Sequence, residues 1–295
     1  MIVVDQAAAP ARMTLAIAGL PIAIALPDPA WIPGLRERYV AFLADGAAAA
    51  WQVAVTHDPG LADEAAAWVR HDGPRTTFRL TEFEGWIDLA ARQAAVSVPS
   101  EDRAASALER TLAYLLMQAL PREHDSLLLH ATAAVIAGRG HLFAGPSGAG
   151  KTTVARLAAG HADVLCDENA VVRLAAAGPE LWSTPFWGMS SPPELIRRVA
   201  ASVPLAAIYI LTHAADFRLE RLAPAQAALA LLTTEKVTTE RPESAAVWLA
   251  VADRLIAAVP VYRLGFRPTT ELWDFLKGEV NRPLTPDSCL LTPVS

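Results

Sequence analysis

The sequence predicts an α/β fold in two parts, a larger domain with a mixed sheet behind a small α+β module. Three observations predict it. Short extended patterns and one helical stretch alternate before residue 100. Strand and helix patterns then follow one another to residue 280, without the one-for-one alternation of an all-parallel sheet. Between an apolar strand and a helical pattern stands GPSGAGKTT, Gly145 to Thr153. The chain divides on this reading into residues 1–100, 101–280 and a C-terminal tail, 281–295.

The 295 residues permit one large domain or two ordinary ones and a substantial core. Apolar residues make up 53%, much of it alanine. The best candidate for a membrane span, Met13–Leu26, is interrupted by Pro21 and falls short of the roughly 20 apolar residues a spanning helix needs. It reads instead as two buried strands meeting at Gly19-Leu20-Pro21. Two cysteines, Cys166 and Cys289, form no disulfide framework, so a cytoplasmic location is expected. The net charge of −6 and the lack of a basic run argue against nucleic acid as a partner.

The elements follow in order. WIPGLRERYVAFLADG reads as a helix between Pro33 and Gly46, and WQVAVTH, RTTFRL and WIDLAA as strands. In SEDRAASALERTLAYLLMQALP, Leu108, Leu112, Leu115, Leu116 and Ala119 share a helical face that Pro121 is expected to end. Two extended runs flank Gly138-Arg139-Gly140, a hairpin turn. A helix starts at Lys151. ADVLCDENAVVRL reads as strand, acidic corner, strand. LWSTPFWGMSSPPE is irregular, VPLAAIYILTH a buried strand and FRLERLA another. PAQAALALLTTE and RPESAAVWLAVADRLIAAV are helices with proline near the start, VYRLGFRP a strand and TTELWDFLKGEV a helix. The tail after Asn281 is expected to be loose.

The chemistry sits in the central segment. Gly145, Gly150, Lys151 and Thr152 match G-x-x-x-x-G-K-[ST], the Walker A pattern. Gly145, Pro146, Ser147, Gly148, Ala149, Gly150, Lys151, Thr152 and Thr153 would cradle the phosphates of ATP through backbone N–H groups. Lys151 would reach the β- and γ-phosphates, and the Thr152 hydroxyl would bind Mg²⁺. The plain alternative is a glycine-rich turn before a helix. No LSGGQ-like or NKxD-like signature accompanies the loop, which argues against a transporter ATPase and a GTPase. The acidic pair Asp167-Glu168 follows the loop closely, with room for one short helix and a turn between.

The segment LLLHATAAVIAGRGHLFAGPSGAGKTTVARLAAGHADVLCDENAVV resembles the catalytic segment of HPr kinase/phosphorylase, and more closely the HPr-kinase-related proteins that include lasso-peptide kinases. These share a core with ATP-dependent phosphoenolpyruvate carboxykinase. The resemblance is strong over residues 127–175, looser over 181–276, and before residue 100 only one of organisation. It implies a P-loop kinase domain of the HPr kinase/PEP carboxykinase type. It places Asp167 as the catalytic base, His130 against the transferred phosphate or against Asp167, and Thr152, Asp167 and Glu168 around the metal. Glu168 departs from the Asp-Asp pair of HPr kinase, and the later RGxG-type signature is missing from residues 169–200. The missing signature weighs against HPr itself as substrate and against the reverse phosphorylase reaction. Because HPr kinases are oligomeric, a homo-oligomer is an open expectation.

Each residue also has a plainer reading: a cap or solvated turn for Asp167 and Glu168, a buried backbone-bonded histidine for His130. Arg263 and Arg267 share a strand face and are candidates to clamp phosphate or an acidic substrate, or are solvated surface residues. Thr184, Phe186 and Trp187 are core residues or a lid. His141 reads as structural. The expected activity is ATP-dependent, Mg²⁺-assisted phosphoryl transfer to a serine/threonine-type hydroxyl of a peptide, small protein or small molecule. The alternatives are an ATP-binding regulatory module without transfer, and a carboxykinase-like metabolic enzyme.

Overall fold

The computed structural model describes residues 11–61, 66–80, 82–188, 191, 198–234 and 242–280. Its described residues form a mixed α/β structure with two mixed sheets and six α-helices. None of these helices is long and apolar enough to cross a membrane.

The first sheet holds β1 (Ala11–Ile17), β2 (Leu20–Leu26), β3 (Trp51–His57), β4 (Trp68–Asp72), β5 (Arg75–Leu80), β6 (Phe83–Asp88) and β7 (Gln93–Val98). Their order is β1-β2-β3-β7-β6-β5-β4, with β2, β3 and β7 parallel. The turn between β1 and β2 falls at Ala18–Gly19, both at positive φ, just before the expected Gly19-Leu20-Pro21. The expected helix between Pro33 and Gly46 is shorter: α1 spans Ile32–Arg38, a 3₁₀ turn covers Val40–Phe42, and Leu43 is extended and bridges Leu15. Packing of Phe42 and Leu43 against the sheet outweighs the local helical pattern. β4 and β7 were not legible beforehand.

Helix α2 (Glu101–Glu123) lies on this sheet. Its predicted face, Leu108, Leu112, Leu115, Leu116 and Ala119, is fully buried in one cluster with residues of β1–β3 and β5–β7. Each such leucine contributes about 1.5–3 kcal/mol on burial. Pro121 does not end the helix as expected. It sits in the last turn, where its missing N–H costs one hydrogen bond, and three residues on the His124 N–H still bonds Leu120 O at 3.0 Å.

The second sheet is built from β8 (Ser126–Leu129), β9 (Ala131–Ile136), β10 (Arg139–Ala144), β11 (Asp163–Cys166), β12 (Ala170–Ala175), β13 (Gly178–Trp182), β14 (Ser202–His213), β15 (Arg218–Arg221) and β16 (Val261–Phe266). β10, β14 and β16 run parallel; β9 and β15 run antiparallel to their neighbours. β13 was hidden: its first three residues lie in AAAGPE, expected to be a turn, and its last two in the stretch read as irregular. Its start comes directly after a turn, and only pairing with β12 and β14 makes it a strand.

Side chains of β14 alternate between two cores. From Ala207 on, Ile208 and Ile210 face α4 (Pro224–Thr234) and α5 (Pro242–Ala258), whereas Ala207, Tyr209 and Leu211 face α3 (Lys151–Leu157) and α6 (Glu271–Val280); a register shift before Ala207 puts Leu205 with the first set. The two sheets are tied by Arg173 of β12. It donates to Ala18 O in the β1–β2 turn and, through Nε, to Ser126 Oγ at 3.2 Å, with its guanidinium 4.9 Å from the Trp182 ring. The tail 281–295 lies outside the described residues.

Candidate functional site

Two crossings of the second sheet define the site. The chain passes from β8 to β9 through the single residue His130, and from β11 to β12 through Asp167-Glu168-Asn169. The crossings are adjacent, because β8 pairs β12, β9 pairs β11, and Ala131 N–H donates to Glu168 O at 3.2 Å. Residues far apart in sequence therefore meet beside the loop that leaves β10.

That loop runs from Gly145 to Gly150. Gly148 and Gly150 have φ of +82° and +103°. A Cβ on Gly150 would also lie 2.7 Å from Phe266 Cζ, so glycine is required there on two counts. Lys151 is buried and donates through Nζ to Gly145 O at 2.7 Å and Pro146 O at 3.2 Å. Its ammonium is thus held at the mouth of the cradle. From the end of β14, His213 donates through Nε2 to Gly148 O at 2.9 Å, and its ring stacks on Phe266 with centroids 6.0 Å apart.

Asp167 is buried at 2% exposure, beside the loop. Thr132 Oγ1 donates to its Oδ1 at 2.5 Å and Ser191 Oγ to its Oδ2 at 2.9 Å, and the nearby Thr152 hydroxyl of the loop also favours its charged form. Burial raises the carboxyl's pKa above the ordinary aspartate value, and the three hydroxyls and the Lys151 charge only partly offset this. The result is a carboxylate in a pocket of hydroxyl donors, beside the residue that follows the loop lysine.

Glu168 is more exposed, and its Oε1 lies 3.5 Å from His130 Nδ1. Gly188 packs over this carboxylate: a Cβ there would come within 2.8 Å of Glu168 Oε2. Thus Lys151, Thr152, Asp167, Glu168 and His130 lie in one chain of neighbours, Asp167 toward the loop and Glu168 toward His130. The hydroxyl of Thr152 and the carboxylate of Asp167 are oxygen donors of the kind a hard cation takes. They would hold Mg²⁺ on the loop side.

Arg263 and Arg267 take separate partners. Arg263 pairs with Glu220, directly opposite on β15, at 2.6 Å. Arg267 bonds Glu271 at the start of α6, with its guanidinium 5.3 Å from the Phe217 ring. Thr184, Phe186 and Trp187 are buried, Thr184 donating to Asn169 O, so they fit the core reading. His141 is also buried. It meets the Tyr209 hydroxyl at 3.1 Å, and desolvation lowers its pKa to about 4, as a structural neutral histidine requires.

Sequence reasoning missed Thr132, Ser191 and His213. Thr132 stands two residues after His130 on an apolar strand, a polar residue where the pattern asks for an apolar one. That is a signal, though a faint one. His213 ends an apolar strand, and Ser191 lies in irregular chain; neither carries a local signal.

The fold and site define a mixed α/β protein whose glycine loop faces a buried carboxylate across a threonine hydroxyl. The chain belongs to the family described as SynChlorMet cassette protein ScmC, whose model matches residues 98–278. That family bears a different name from the HPr-kinase relatives that the sequence resembles. No curated protein sequence matches the chain. Among solved structures, the chain is similar to "Structure of the Hpr(Ser) kinase/phosphatase from Coxiella burnetii", at 14% identity and a TM-score of 0.31, over 52% of this chain and 87% of that one. This similarity is too low to equate the two folds.

Proposed function

We propose that the protein is an ATP-dependent kinase that transfers the γ-phosphate to a serine/threonine-type hydroxyl of a peptide, small protein or small molecule. The observation that carries this reading is the buried Asp167 carboxylate beside Thr152 of the loop, whose hydroxyl favours its charged form. Phosphoryl transfer asks a protein for positioning, charge neutralisation and a base for the acceptor proton. Gly145–Thr153 would position the triphosphate, with Lys151 on its β- and γ-oxygens. Bound Mg²⁺ would neutralise charge between the phosphates, and Thr152 and Asp167 are the residues to hold it. Asp167 would accept the acceptor's proton, since a base works best with its pKa moved toward the working pH and burial moves this one upward. Glu168, held by His130, would orient the outer side of the site.

The test is transfer of radiolabelled γ-phosphate from ATP to a panel of serine- and threonine-containing peptides, small-molecule alcohols and cell lysate, with wild type and Asp167→Asn. Labelled acceptor with wild type alone is the expected result. Equal ATP binding by both proteins with no label on any acceptor would turn the reading to a nucleotide-responsive binding module.

A further inference from the structure

Three hydroxyls surround Asp167, and they are not equivalent. Thr132 is fully buried within β9, and Thr152 is the second residue of α3, directly after the phosphate loop. Ser191 belongs to no helix or strand. Its hydroxyl donates to Asp167 Oδ2 at 2.9 Å, the distance a general base keeps from the hydroxyl it deprotonates. Its own N–H donates to Gly188 O at 2.9 Å, which holds the serine in a turn. Gly188 makes the approach feasible: a Cβ there would crowd Glu168 Oε2 at 2.8 Å and Ser191 Oγ at 3.4 Å. Ser191 therefore presents a primary alcohol to the carboxylate that lies beside the phosphate loop, in the relation an outside acceptor would need.

We infer that Ser191 is an internal phosphate acceptor, so that the chain phosphorylates itself at this residue. The inference rests on the kinase reading above. In the step, Ser191 Oγ forms a bond to the γ-phosphorus of ATP as the bond from that phosphorus to the β,γ-bridging oxygen breaks. ADP leaves with the electron pair, and the Ser191 proton passes to Asp167 Oδ2. The product is a phosphoserine beside the protonated Asp167 carboxyl and the Glu168 carboxylate.

The experiment incubates the full chain alone with Mg-ATP and maps phosphate by mass spectrometry, with fragment ions separating Ser191 from Ser190. Calorimetry on the same samples reads ATP binding. Up to a single acid-stable phosphoryl group per chain is expected on Ser191 with wild type, none with Asp167→Asn, and none at this position with Ser191→Ala. Acid stability separates phosphoserine from a phosphoryl group on Asp167 itself. Wild type that binds ATP and labels an outside acceptor while Ser191 stays clean would overturn the inference and leave the kinase reading standing. Phosphate on another residue with Ser191 clean would do the same. Failure to bind ATP at all would sink both.

Discussion

Thr132 Oγ1 donates to Asp167 Oδ1 at 2.5 Å, joining the second residue of β9 to the corner after β11. The contact exists because β9 and β11 are antiparallel neighbours with a register shift between Val164 and Cys166. Thr132→Val keeps the shape and removes the donor. Asp167 loses a bond that favours its charged form, so its pKa rises further. The acid limb of the turnover-against-pH profile should move to higher pH in this variant. An unmoved limb would show that Asp167 is not the titrating base.

Replacing Asp167 with Asn should cut turnover by about 10²–10⁴-fold, the usual contribution of a positioned base, and leave the affinity for ATP without Mg²⁺ nearly intact. The same change has a stability consequence of opposite sign. A carboxyl whose native pKa lies above its unfolded value contributes stability below the unfolded value and loses it as pH rises through the native one. Near neutral pH wild-type Asp167 is therefore a net cost. Thermal melts should give Asp167→Asn an equal or higher Tm than wild type at pH 7, and the advantage should vanish in acid.

His213 should matter for nucleotide affinity although it lies far from the loop in sequence. His213→Ala removes the bond to Gly148 O and the ring packed on Phe266. A net hydrogen bond contributes about 0.5–1.5 kcal/mol, so the Kd for ATP should rise by roughly two- to tenfold. His213→Gln, which keeps a donor, should recover part of this. Calorimetric titration would decide, and an unchanged Kd in both variants would remove His213 from the site.

Gly150→Ala meets two obstacles, the positive φ and Phe266. A cost of about 1–3 kcal/mol in stability is expected from the backbone alone, together with loss of ATP binding. Denaturant unfolding and titration on the same preparation would read both effects. Arg263→Ala and Arg267→Ala should by contrast leave ATP affinity unchanged, because each arginine is engaged with a surface carboxylate. A large loss of affinity in either would restore the phosphate-clamp reading.

Arg173 ties the two sheets, and its removal tests that tie. Arg173→Ala loses the bonds to Ala18 O and Ser126 Oγ and the packing on Trp182. A destabilisation of about 1–3 kcal/mol is expected. Hydrogen exchange should show its largest increase at the β1–β2 turn if the strut holds that turn in place.

The sequence by itself determined the glycine loop between strand and helix, the acidic corner that follows it, and the buried leucine face of α2. These are local signals: glycines at fixed spacing, a charge pair ending an apolar run, a 3.6-residue period. It also made His130 and Asp167 candidates, but not neighbours of a common crossing. Only the tertiary structure decided that Asp167 is ringed by Thr132, Thr152 and Ser191, and that His213 holds the loop from behind. It also settled that α2 runs through Pro121 and that Arg263 and Arg267 take separate partners. The physical reason is one throughout. These contacts depend on which strands pair and in what register, and pairing is set by burial of whole faces rather than by any residue's own neighbours.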